Sequence, residues 1–364
     1  MKKLYAFLFL FALLVVCAEE VMAQRRGSIG HYRGNINAFN RKKRYISIGG
    51  SINSLNYFGD LAPKNRIAST DISFTRPGIS FMAQYRMGPA FSMRGNFMWG
   101  RLRGDDDTSD FAPGTDESTY RFQRNLHFRN DIKELSVLFV FDLKAHGRTF
   151  ITRPELVPYV FFGGAVFHHN PKARVPNTDY VHYVTSPSEI QVNDPRYAAN
   201  PGEWISLKPL QTEGKSYSNF AFAIPVGAGV RYKLSRYLDL SFEMSYRQTF
   251  TDYLDDVSGD YINPEDFDQI HGDPRVANLA RLMAYRSNEI REDGALWQEM
   301  VEFQGTRTHS WNNPLGANEY LHLNGYGTAG RDHIRGKDDK DVYLVSTLSL
   351  TYIIGTNIRN AKFR

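Results

Sequence analysis

Leu238-Asp239-Leu240-Ser241-Phe242-Glu243-Met244-Ser245-Tyr246-Arg247-Gln248-Thr249-Phe250 alternates almost without a break: Leu238, Leu240, Phe242, Met244, Tyr246 and Phe250 share one parity, and Asp239, Ser241, Glu243, Ser245, Arg247 and Thr249 share the other. A strand turns successive side chains to opposite faces. This one therefore has a large apolar face and a small, polar and charged one. Outward from it, the same period recurs around Ile46–Asn53, Ile79–Arg86, Phe91–Trp99, Glu134–Leu143, Phe220–Leu234 and Val342–Ile354. Val157–His168 is apolar on both parities, so its facing cannot be read from the pattern. Eight strands are expected in all.

Large residues on one face and small or charged ones on the other suit lipid outside and a polar lumen. A soluble ligand-binding barrel would show the inverse, an apolar interior under a charged exterior. In a soluble sandwich the charges Arg94, Glu134, Glu243 and Arg247 would face water. Two features decide against that reading. The alternating segments run well past the about five or six residues of a globular strand, and they reach the roughly 9–11 residues that a tilted membrane strand needs. The connections are also unequal: Met87–Ala90 and Ser235–Arg236 are short and Lys144–Glu155 is of medium length, whereas Asn56–Ser73, Gly104–Asp131, His169–Asn219 and Thr251–Asp341 are long. Short turns at one end and long loops at the other are the outer-membrane pattern. The expected fold is all-β: an eight-stranded antiparallel transmembrane barrel over residues 45–354, with both termini in the periplasm and long external loops. A short helix is expected in the last loop, where Asp273-Pro274 can cap and start it and Val276, Leu279, Ala280 and Met283 fall on one face.

The rest of the chain agrees with export. Residues 1–23 join Lys2-Lys3 to the apolar run Leu4–Val16 and to Val21-Met22-Ala23, which reads as a signal peptide cut before Gln24. The apolar run falls short of the about 20 residues a membrane helix requires. Cys17 lacks the small residue that normally precedes a lipidated cysteine. Loss of Lys2, Lys3, Glu19 and Glu20 leaves the net charge of +5 unchanged, too little for a steering field. The mature chain has no cysteine, so stability must come from burial and backbone pairing.

Several short motifs stand at the strand ends: Tyr57-Phe58-Gly59-Asp60-Leu61, Pro158-Tyr159-Val160-Phe161-Phe162-Gly163-Gly164, His169-Asn170-Pro171-Lys172-Ala173, Leu210-Gln211-Thr212-Glu213-Gly214, Ile224-Pro225-Val226-Gly227 and Asp252-Tyr253-Leu254-Asp255-Asp256-Val257-Ser258. Together they resemble the PorG-like outer-membrane β-barrel family of Bacteroidota, from about Tyr45 to Ile354. The resemblance implies a Gram-negative outer-membrane location, contact with outer-membrane lipid, and association with periplasmic ring or lipoprotein components of a type IX secretion or gliding apparatus. An outer-membrane barrel unrelated to secretion, for surface adhesion or envelope organisation, is the alternative, with a narrow pore behind it.

Candidate functional residues fall into three groups. Arg94, Glu134, Glu243 and Arg247 lie on the lumen face, where opposite charges are expected to pair structurally, Glu243 with Arg247 among them. Asp105-Asp106-Asp107 and the family-motif loop Asp252, Tyr253, Leu254, Asp255 and Asp256 lie in predicted external loops, where solvated charge is the plain expectation; neither has calcium-loop spacing. The segment 24–44 carries Arg25, Arg26, Arg33, Arg41, Lys42, Lys43 and Arg44 and no acid, and the tail 355–364 adds Arg359, Lys362 and Arg364. Either the segment is a solvated tail, or the two termini form a basic periplasmic patch for anionic headgroups or an acidic partner. His168-His169 lacks a third ligand at metal spacing, His182 being the nearest candidate, so both read as ordinary strand-end residues. No GxSxG or HExxH motif appears, and no enzyme activity, cofactor, metal, nucleic acid or small-molecule substrate is expected. Eight strands enclose only the space that side chains fill, which argues against a solute channel.

Overall fold

The strongest determinant of the architecture is the inside-out alternation, because it forces a sheet with one oily face to close on its polar one. A computed structural model describes residues 43–61, 75–106, 124–146, 149–179, 188–286, 308–311, 320–323 and 335–354. Eight long strands form the barrel: β1 (Ile46–Phe58), β2 (Arg76–Arg86), β3 (Phe91–Asp105), β4 (His127–Asp142), β5 (Leu156–His168), β6 (Phe220–Lys233), β7 (Leu238–Thr249) and β8 (Val342–Ile354). Each pairs antiparallel with its chain neighbours, and β8 returns to β1, Ile354 against Ile46 and Val342 against Phe58. The ladder has no free edge.

The register shows how steeply the strands lean. A circuit leaving β1 at Ile46 passes Tyr85, Met93, Phe139, Phe162, Val226, Tyr246 and Leu344 and comes back to β1 at Asn56, ten residues along. Such a stagger tilts strands by roughly 35–45° to the barrel axis. Ile52, Phe81, Leu135, Phe222 and Phe242 are among the exposed apolar side chains of the outer face. Ser51, Ser80, Ser92, Asn96, Ser136, Ser241, Ser245 and Ser349 are buried inside. Strand β5 faces the lumen with Val157, Tyr159, Phe161 and Phe167. Gly227 and Gly229 on β6 leave room for these rings, since a Cβ at Gly227 would lie 2.5 Å from the Phe161 ring and one at Gly229 2.9 Å from that of Tyr159.

At the long-loop end, β3 and β4 continue past the belt as a paired projection. Pro171–Arg174 pairs with β4, and Trp204–Ser206 pairs with Pro171–Arg174 in turn. Two helices, α1 (Asp266–Ile270) and α2 (Pro274–Ala284), follow β7. A side-chain oxygen of Asp273 caps the start of α2 by accepting from the Arg275 N–H. The buried face of α2 packs Leu279, Leu282 and Met283 against Phe267, Leu210, Tyr197 and Tyr261 of the same lobe at the long-loop end. Among the described residues no helix is long and apolar enough to cross a membrane.

Residues 1–42 and 355–364 lie outside the described residues, so the signal peptide, most of the basic N-terminal segment and the C-terminal tail do as well.

Candidate functional site

The lumen charges form two pairs, with different partners from those the sequence suggests. Arg94 meets Glu243 at 2.6 Å, and Arg247 meets Glu134 at 3.3 Å. Glu243 and Arg247 do not pair with each other because, four residues apart on one strand, they are about 13 Å apart along it. Each reaches across the lumen instead, to β3 and to β4. Tyr159 Oη donates to Glu243 at 2.5 Å and Tyr343 Oη to Glu134 at 2.7 Å, so both carboxylates have a neutral donor besides the cation. The Arg94 guanidinium also lies 5.6 Å from the Phe161 ring centre. A third set closes the short-turn end: Asp142 takes Arg86 at 2.6 Å and Arg231 at 3.3 Å. Arg153 binds Asp239 and the Ser235, Arg236 and Leu238 carbonyls, which fastens the β6–β7 turn. The cavity among Ser47, Gln84, Arg94, Arg231 and Asp239 measures about 10 Å³, space for about one water.

The motif loop departs most from expectation. Asp252, Asp255 and Asp256 are buried, at 4%, 1% and 1% exposure, not solvated, because residues 252–258 turn back into the barrel mouth. Asp106, in the other acidic run, is also buried. Leu254 and Val257 enter the core formed by Leu55, Leu61, Met98, Leu102, Phe128 and Tyr343. The backbone of that turn is held by side chains: Asn130 Nδ2 donates to the Leu254 carbonyl at 2.7 Å, and Asp341 Oδ2 accepts from the Leu254 N–H at 2.9 Å. Asp256 takes the left-handed conformation, φ 73°, where Asp is among the few tolerated residues.

Motifs far apart in the chain meet here. Tyr57 Oη lies 2.6 Å from Asp255 Oδ2 and 2.7 Å from Asp341 Oδ1. Leu61 N donates to Asp255 and Lys337 N to Asp60. Gly59 has no side chain because a Cβ would sit 2.0 Å from both Tyr57 Oη and Asp341 Oδ1. From the Leu210–Gly214 motif, Thr212 donates to Asp256, while Glu213 accepts from Ser258 N, Gly259 N and Arg335. From the His169–Ala173 motif, Asn170 N donates to Asn130 Oδ1. His169, read as an ordinary strand-end residue, is buried and stacked on Tyr217, which stacks on Tyr253 with ring centres 4.5 Å apart. Arg124 clamps Asp106 through two nitrogens, at 2.7 and 2.9 Å, and also donates to the Asp60 and Arg335 carbonyls. These contacts make a cap over the long-loop end of the lumen.

The cap concentrates carboxyls where water is excluded. A tyrosine hydroxyl has one proton, so Tyr57 cannot donate to both Asp255 and Asp341 at once; one carboxyl must carry a proton of its own. Burial raises Asp255 and Asp60 to about 7 and Asp252 to about 8, and it raises Asp341 as well. Asp256 rises to about 6, also chiefly by burial, with Arg335 opposing the shift. For an acid whose folded pKa is raised, stability is complete below its unfolded pKa, about 4, and is lost as pH climbs through the folded value. The cap should therefore loosen progressively from about pH 4 to about pH 8. Amide hydrogen exchange over residues 252–258, corrected for intrinsic rates, is expected to show more frequent opening at pH 8.5 than at pH 5; equal opening would mean these carboxyls titrate normally.

Among the described residues no group of His, Cys, Asp or Glu could hold a metal ion. Of the basic patch, Lys43 and Arg44 lie just before β1 at the short-turn end, with Arg44 exposed. Arg41, Lys42, Arg359, Lys362 and Arg364 lie outside the described residues.

Residues 35–191, under half of the chain, match the family described as "Domain of unknown function (DUF6089)". No curated protein matches the chain. Among solved structures, it is similar to the outer membrane protein OprG from Pseudomonas aeruginosa at 8% identity, over 87% of this chain and 99% of that one, with a TM-score of 0.36. It is similar to a major outer membrane protein from Thermus thermophilus at 10% identity, over 85% and 99%, with a TM-score of 0.36. It is also similar to Ail, the attachment invasion locus protein of Yersinia pestis, at 11% identity, over 85% and 97%, with a TM-score of 0.30.

Proposed function

We propose that the protein is an outer-membrane barrel that works by holding a partner and not by passing solute. The observation that carries this is the filled lumen: ion pairs and rings occupy the interior and a buried cap covers one end. The apolar outer face supports placement in a bilayer, since an exposed belt of Ile, Leu, Phe and Val costs free energy in water and none in lipid. A closed barrel of this kind should resist detergent until heated, so unheated and boiled samples should migrate differently on a denaturing gel. Identical mobility together with solubility in the absence of detergent would remove the membrane reading.

The partner we propose is a periplasmic ring or lipoprotein component of a type IX-like secretion or gliding apparatus, following the PorG-like resemblance. Both ends of the barrel chain, before Ile46 and after Ile354, emerge together at the short-turn end. Lys43 and Arg44 stand at that end just before β1, with Arg41 and Lys42 next to them in sequence, and Arg359, Lys362 and Arg364 follow β8 in sequence. Their sign favours an acidic surface, and exposed attraction of this kind is screened over roughly 8–10 Å in salt. Charge reversal of Arg41, Lys42, Lys43 and Arg44 is expected to leave heat-modifiable barrel in the membrane while abolishing co-purification of the partner and secretion. Normal secretion by that variant, with secretion lost on deletion within the loop between β7 and β8, would move the functional surface to the other end.

A further inference from the structure

Above the apolar belt, on the outward face of the β3–β4 projection, the strand register sets cations against cations. Arg103 is the direct cross-strand partner of Arg129, and Arg129 is the direct partner of Lys172, so three positive side chains form one row across three strands. Arg101 and Lys133 flank the row on the belt side, and Arg174 lies two residues beyond Lys172. Like charges at directly paired positions destabilise a sheet. The two acids on this face each take an arginine: Asp131 takes Arg101 through two contacts of 2.6 and 3.1 Å, and Asp105 takes Arg103, at the end of the row, at 3.1 Å. Arg129, Lys133 and Lys172 have no ion pair among the described residues. Arg129 lies 4.1 Å over the Trp204 ring, and its Nε is buried without an acceptor.

We propose that this row binds the phosphate-bearing headgroup of an outer-leaflet lipid, with Arg129 and Lys172 as the central contacts. The inference rests on the membrane placement given under Proposed function. Height and direction choose the ligand. Trp99, half exposed, stands directly opposite Lys133 in the ladder, and Leu135 follows two residues toward the belt. The row therefore begins where the oily face ends, and its side chains point sideways, into the headgroup layer. Basic groups at that boundary attract anionic headgroups, and a guanidinium fork matches phosphate oxygens with paired hydrogen bonds. A phosphate seated between Arg129 and Lys172 would neutralise the repulsion that the register builds in between these two unpaired cations.

The test uses the full chain purified in a neutral detergent, with bound lipid read by native mass spectrometry. The probes are diphosphorylated lipid A, the same lipid with both phosphates removed, and inorganic phosphate as competitor. The wild-type protein is expected to retain the diphosphorylated lipid at least tenfold better than the dephosphorylated one. The Arg129→Gln/Lys172→Gln variant should lose that preference, and Arg236→Gln, at the opposite end, should keep it. Heat-shifted gel mobility reports folding of each variant; if the double variant does not fold, Lys172→Gln alone decides, with a weaker but measurable loss. Equal retention of both lipids, or retention unchanged in the folded variants, would overturn the site. Full displacement by millimolar inorganic phosphate would overturn the lipid assignment in favour of a free anion. A protein soluble without detergent would remove the membrane reading itself, whereas a detergent-dependent, heat-modifiable barrel indifferent to the phosphate removes only this site.

Discussion

Arg247→Met is expected to destabilise the barrel by about 3–5 kcal/mol, because it strands Glu134 as a lone buried charge. Glu134 is fully buried and would keep only Tyr343 Oη of its present donors to the Oε2 atom. The combined Glu134→Gln/Arg247→Met replacement removes both charges and should cost less than Arg247→Met alone. Denaturant titration of the two variants in detergent, completed by Glu134→Gln as the fourth corner of the cycle, measures the coupling. Additive losses would mean that the 3.3 Å contact contributes no coupling energy. The same cycle on Glu243 and Arg247, neighbours on one strand face, should show much weaker coupling because each has its own partner across the lumen.

Phe242→Arg should be the most damaging change on the outer face. Phe242 is 52% exposed in the middle of the apolar face of β7. A charge near the bilayer midplane costs about 2–4 kcal/mol, falling to about 0–1 near the interface. Phe250→Arg, just past the end of β7, is therefore the matched control: the same substitution, on the same parity, at the edge of the belt. Membrane-assembled, heat-modifiable protein should fall steeply for Phe242→Arg and little for Phe250→Arg. Equal loss would mean that the outer face does not sense depth, and hence that it does not contact a bilayer. Ser241→Arg does not serve as the tolerant comparison, because Ser241 points inward and lies 2.6 Å from Ser349 Oγ, with no room for a guanidinium.

Which parts of this arrangement are legible in the chain follows from the range of the interactions that determine them. The two faces of β7 are set locally, since alternation in Leu238–Phe250 needs only the geometry of one strand. Strand β5 is illegible by the same rule because its inward residues are apolar too: Tyr159 and Phe161 must fill a lumen that Gly227 and Gly229 leave open on the next strand. The alternation also ends β3 and β4 early. Arg101, Arg103, Arg129 and Asp131 face outward beyond the apolar belt, yet the ladder continues to Asp105 and His127. The partners of Arg94 and Arg247 required the register of three strands. The burial of Asp252, Asp255 and Asp256 is least accessible, since it depends on Tyr57 at the end of β1, Thr212 and Tyr217 from the β5–β6 loop, and Asp341 from the far end of their own loop.

The contacts at Tyr57 also bear on how the barrel is assembled. The β1–β8 seam joins the two strands most distant in sequence, and Tyr57 on one side meets Asp341, the residue before Val342, on the other. Lys337 N donating to Asp60 spans the same seam. Loop-closure entropy makes pairing of such separation the slow step of folding. A latch built from residues that only converge after that pairing is absent from the transition state. It cannot hasten closure, and its stabilisation acts on the rate of unzipping alone. The joint at which a barrel would split sideways is thus the one fastened last, and its persistence is a matter of lifetime as much as of equilibrium.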